Sequence, residues 1–64
     1  MNGLEYIRKT YAVPAKRGGR VRFTGGIVPQ EGTITRASGP HIMIHFDGEK
    51  NSWPMHPTWE ITYL

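Results

Sequence analysis

Six basic side chains, Arg8, Lys9, Lys16, Arg17, Arg20 and Arg22, fall within fifteen positions that contain no acid. Cations at that density suit the phosphates of nucleic acid or another polyanion. In Arg20-Val21-Arg22-Phe23-Thr24 basic and apolar residues alternate, which puts Arg20 and Arg22 on one face of a strand and Val21 and Phe23 on the other. Gly18 and Gly19, just ahead of them, let backbone amides come close to a phosphate. Arg36 adds one more cation from the next strand. Lys16, Arg17, Arg20 and Arg22, helped by Arg8, Lys9 and Arg36, are therefore the candidate nucleic-acid contacts. A solvated charged face that protects an edge strand from aggregation is the alternative.

The basic residues are unevenly placed. Residues 1–22 carry six Lys/Arg against Glu5, a charge of +5, while residues 23–64 carry two against four acids, a charge of −2. The whole chain is +3, with a sequence pI near 9.7. Aromatic rings are the second ingredient of single-strand or RNA binding, because bases stack on them. In a small domain large rings are needed for burial, so Trp59 is expected in the core and Trp53, with one or two tyrosines, is the stacking candidate.

A protein partner is the competing expectation, through a surface around Trp53, Met55 and Pro57. Pro57-Thr58-Trp59 is similar in placement to the Pro-x-x-aromatic turn that helps form the polyproline groove of Src-type SH3 domains. The loop from Gly25 to Glu31 holds one acid, however, and so lacks the negative pocket that such grooves use. His41 and His45 share a strand face but stand about 13 Å apart, and His56 is isolated. Cysteine is absent. No metal site, cofactor or small-molecule substrate is expected from this pattern. Nucleophile elbows, phosphate loops and dinucleotide fingerprints are missing too, so the chain reads as a non-catalytic binding module.

Sixty-four residues allow one domain, over 1–64, with a thin core. Leu4, Ile7 and Tyr11 give a helical stripe over 4–11, ended by Pro14. From residue 20 the period becomes two. Strands are expected at 20–24, 32–36, 41–46, 51–53 and 60–64, with a hairpin turn at Asp47-Gly48 and a helical turn at 56–59 before the last strand. Val21, Phe23, Ile34, Ile42, Ile44, Phe46, Trp59 and Ile61 should fill the core, with Leu4 and Ile7 capping one end. The fold class is all-β: a five-stranded SH3-like barrel over 20–64, whose closure covers most sheet edges. The longest aliphatic run, Ile42-Met43-Ile44, is too short for a membrane span, and the first six residues do not read as a secretory signal.

The run from Gly19 to Gly26, followed by Glu31-Gly32-Thr33-Ile34, resembles the KOW pattern of SH3-like barrels in ribosomal proteins and transcription elongation factors. Val21 and Phe23 match its first inward residues, Gly32 its glycine and Ile34 the next inward position. The loop is one residue shorter, and Gly19 replaces an acidic residue. The resemblance implies a barrel and favours RNA as partner. The segments Tyr11 to Gly18 and His56 to Glu60 resemble small bacteriophage and prophage proteins. That likeness implies a bacterial cytoplasm and a partner of host or phage origin, and it carries no activity with it.

Overall fold

The computed structural model describes residues 3–64. Helix α1 (Gly3–Tyr11) precedes five strands: β1 (Arg20–Phe23), β2 (Gln30–Ser38), β3 (His41–Phe46), β4 (Ser52–Met55) and β5 (Ile61–Tyr63). All pairings are antiparallel, in the order β4-β3-β2-β1-β5. The last strand thus returns to lie beside the first, leaving β4 and β5 at the edges. The protein is mostly β, as its residue alternation predicts.

One sheet face carries the core. Val21, Ile34, Ile42, Ile44 and Phe46 are buried there, joined by Leu4 and Ile7 from α1. Phe23 and Ile61 are partly buried against the same cluster. The helix is only nine residues long, too short to persist alone, so its Leu4–Ile7 stripe holds it by docking. Arg8 fixes its far end, donating from Nη1 to the Ala15 carbonyl at 2.6 Å. Ala15 is itself fully buried, a core position that the sequence pattern does not reveal.

Strand β2 carries an irregularity that organises its surroundings. Ile34 lies opposite Ile44, but Arg36 lies opposite Met43, so Thr35 is an extra residue on the β2 side. Such a bulge bends a strand and reverses the in–out order beyond it. Strict alternation from Ile34 would turn Arg36 into the core. With the bulge, Ala37 packs inward opposite Ile42 and Arg36 is exposed. Thr35 Oγ1 makes the extra residue comfortable through the Met43 carbonyl and the Ser52 hydroxyl, both at 3.3 Å.

Several expectations are corrected. Trp59 is 64% exposed rather than in the core. The buried place in that turn belongs to Pro57, whose carbonyl accepts a hydrogen bond from the Tyr63 hydroxyl at 2.7 Å. Glu60 then takes a left-handed backbone (φ 57°), which starts β5 and leaves the indole outside. The segment is a single turn, closed by Trp59 N–H on the His56 carbonyl at 3.3 Å. Strand β2 runs longer than expected at both ends. Strand β4 continues through Pro54, which an edge strand accommodates because one side of its backbone needs no ladder bond.

Gly32 is needed for closeness. A Cβ built there would stand 2.7 Å from the His45 carbonyl oxygen and 2.7 Å from Ile44 Cγ2. Gly32→Ala is therefore expected to cost about 1–3 kcal/mol through overpacking. Phe46→Ala should cost about 3–5 kcal/mol, close to the whole stability of a domain this small. Urea unfolding of both variants checks this. A Phe46→Ala protein that still unfolds cooperatively at the parent midpoint would contradict the core described here.

Candidate nucleic-acid interface

Alternation along β1 places Arg20 and Arg22 together on the face opposite Val21, as their spacing predicts. That face is not purely basic. Arg22 lies opposite Glu31 across the β1–β2 pair, and its Nε and Nη2 reach Glu31 Oε2 at 3.2 and 3.0 Å. Arg20 grips Asp47 in a two-pronged contact, Nη1 to Oδ1 at 3.0 Å and Nη2 to Oδ2 at 2.7 Å. It also donates to Thr33 Oγ1 at 2.9 Å and stands 3.7 Å from Glu31. Two arginines meet two carboxylates, so this patch is locally neutral.

These pairs form because register brings distant residues together. Asp47 belongs to the β3–β4 turn, and its N–H bonds the Glu31 carbonyl at 3.0 Å, which carries the carboxylate to the β1 side. The Arg20 hydrogen bond, aided by the Arg20 and His45 charges, holds the Asp47 carboxyl below its ordinary value against a smaller opposing effect of desolvation. All four side chains are solvent-exposed, so the cluster orients its members more than it stabilises the fold.

The other basic residues fall into two groups. Arg8 is part-buried and spent on the Ala15 carbonyl, which makes it a structural tie between α1 and the following loop. Lys9 stands 3.9 Å from Glu5, one helical turn away. Lys16, Arg17 and Arg36 have no hydrogen-bond or ion-pair partner among the described residues, and all three are exposed. The loop carrying Lys16 and Arg17 is fastened to β2. Gly18 N–H donates to the Ile34 carbonyl at 2.8 Å, and Ile34 N–H donates to the Gly19 carbonyl at 2.9 Å. Gly18 adopts φ +83°, a conformation glycine takes without strain. Gly19 N–H closes the loop on the Lys16 carbonyl at 3.0 Å. Arg17 and Arg36 consequently line one cleft of about 300 Å³, together with Gly3, Leu4, Thr35 and Ala37.

The aromatic surface lies elsewhere. Trp53 is half exposed on edge strand β4 and walls a cleft of about 370 Å³ with Phe23, Gln30, Phe46, Glu49, Pro54 and Met55. Met55 is half-buried. Pro57, the third residue expected in a protein contact, is fully buried and presents no surface. Ile27 and Val28, in the loop after β1, are exposed apolar residues that the alternating pattern does not single out. Their position in a loop with two preceding glycines was the available signal. The histidines serve turns: His45 Nε2 bonds the Glu49 carbonyl at 2.7 Å, and His56 Nδ1 accepts Thr58 N–H at 3.1 Å. Among the described residues no helix is long and apolar enough to cross a membrane.

No protein-family model matches the chain, and no curated protein or solved structure matches it either.

The Arg20–Asp47 contact has a titration signature. Because the folded Asp47 carboxyl lies below its unfolded value, its contribution to stability is present above the unfolded pKa and fades as pH falls through the folded one. Carbon-detected NMR titration should find Asp47 protonating at lower pH than a free aspartate, and returning toward the ordinary value in Arg20→Gln. An Asp47 that titrates identically in both proteins would show that the pair does not form.

Proposed function

We propose that this domain is a non-catalytic nucleic-acid-binding module built as an SH3-like barrel. The observation that carries the reading is the group of cations Lys16, Arg17 and Arg36, without partners among the described residues and held on adjoining segments by the Gly18–Ile34 and Ile34–Gly19 hydrogen bonds. Barrel architecture is supported by the strand order, in which β5 pairs with β1, and by the bend that the β2 bulge introduces. On this reading the domain works in a bacterial cytoplasm among phage or prophage products, a setting supported by the resemblance at residues 11–18 and 56–60.

Arg20 and Arg22 take a secondary role. Glu31 and Asp47 occupy their guanidinium groups, so a phosphate must displace a carboxylate to reach them. Contacts of this kind position a backbone and carry little sequence information. The module is accordingly expected to bind with weak base preference.

A second reading rests on the Trp53 cleft. Its walls include Phe23, Phe46 and Met55, and the nearby chain leaves Ile27 and Val28 exposed. Apolar surface of that kind suits a protein partner. Trp53→Ala would abolish such a contact while leaving phosphate binding by Lys16, Arg17 and Arg36 in place.

The salt dependence of binding to single-stranded DNA and RNA tests the first reading. Three phosphate contacts give a log–log slope of about −2 to −3. The double variant Glu31→Gln/Asp47→Asn releases two more arginines, steepening the slope to about −3.5 to −4.5 and tightening binding at low salt. Absence of binding at low salt, or a double variant that binds no better than the parent, would overturn the reading.

A further inference from the structure

We propose that the cleft between the start of α1 and β2 is a binding site for a phosphate monoester, with Arg17 and Arg36 as its anion contacts. The cleft, about 300 Å³, lies at the small end of the range that ligand pockets occupy. Arg17 enters from the 16–19 loop and Arg36 from β2, and among the described residues no acid lines the walls. Neither guanidinium has a partner among the described residues. The contrast with Arg20 and Arg22 is informative, since each of those meets a carboxylate.

Both arginines are placed by backbone features rather than by chance exposure. The extra residue Thr35 reverses the facing of β2 and carries Arg36 out of the core. The hydrogen bonds of Gly18 and Gly19 to Ile34 fix the loop bearing Arg17 against the residue just before that bulge. Gly3 and Leu4, in the first turn of α1, complete the cleft. The arginines supply the charge.

Charge selects the ligand. A monoester carries about −1.5 to −2 at neutral pH, matching two unshared arginines, whereas an internal phosphodiester carries −1. Planar guanidinium forks donate paired hydrogen bonds to phosphate oxygens. A phosphorylated strand end and a free phosphate share this chemistry. The strand end as the source rests on the nucleic-acid reading, and the cleft itself does not.

Two titrations of the full chain test the proposal. In the first, inorganic phosphate is added to ¹⁵N-labelled protein, with chloride at matched ionic strength as reference. The amides of Gly3, Leu4, Thr35 and Ala37 should shift with phosphate and stay still in Arg36→Gln, whose exposed position leaves the fold intact. In the second, oligonucleotides with a phosphate at the 5′ or 3′ end are compared with the same strands ending in hydroxyls. One phosphorylated end should bind at least about tenfold more tightly, the ratio that one charge-assisted contact supplies. Arg17→Gln or Arg36→Gln should erase the advantage. Equal binding of all ends, unchanged in both variants, would overturn the strand-end assignment while leaving the nucleic-acid reading standing. Failure of every oligonucleotide to bind, alongside a localised phosphate response, would overturn the nucleic-acid reading and support the cleft. Shifts no different from those with chloride would overturn the cleft itself.

Discussion

The extra residue in β2 decides which side chains this sheet buries and which it exposes. A strand with period two has one inner and one outer face, and a single inserted residue exchanges them. Before Thr35 the inner positions are Gly32 and Ile34; after it, Ala37 is inner and Arg36 outer. The core needs both halves, because β3 sets Ile44 against Ile34 and Ile42 against Ala37. A continuous strand would have to bury either a guanidinium or lose the Ala37 contact. Burying an unpaired guanidinium costs several kcal/mol by rough reckoning, so the bulge wins.

From that point the surface chemistry follows by position. The loop of residues 16–19 bonds to the backbone of Ile34, the last residue before the bulge. Arg17 from the loop and Arg36 from the strand beyond the bulge therefore share one cleft, while Lys16 lines another beside Arg20. On the other side of β1, register gives the opposite result: Glu31 faces Arg22, and the β3–β4 turn delivers Asp47 to Arg20. The same number of arginines produces a neutral patch in one place and a concentrated positive one in another. Net charge alone does not distinguish them.

Much of the architecture is legible in the residue pattern. Val21 and Phe23, Ile42, Ile44 and Phe46, and the Leu4–Ile7 stripe all lie inside or against the core, because each belongs to a segment of unbroken periodicity. Misreadings occur where periodicity breaks. Trp59 looks like core by size, yet a left-handed Glu60 and a buried Pro57 turn it outward. Ala15 looks like loop and is buried, since it seats the chain between α1 and the sheet. Of the candidate contacts, Arg20 and Arg22 were legible as a pair on one face. Their carboxylate partners were not, because they depend on register with residues 9 and 27 positions away. Arg8 looks like a surface cation and is a tie to the Ala15 carbonyl.

Ile34 is joined on one side to Ile44 and on the other to the loop bearing Arg17, so that Arg17 and Arg36 are held near each other rather than free. Amide hydrogen exchange at Gly18 and Ile34 is the decisive measurement. Both N–H groups donate in the bonds that fasten the loop, and their protection should be comparable to that of the β2–β3 amides. Exchange at Gly18 and Ile34 as fast as in an open loop would contradict this, leaving Arg17 and Arg36 with nothing to hold them together.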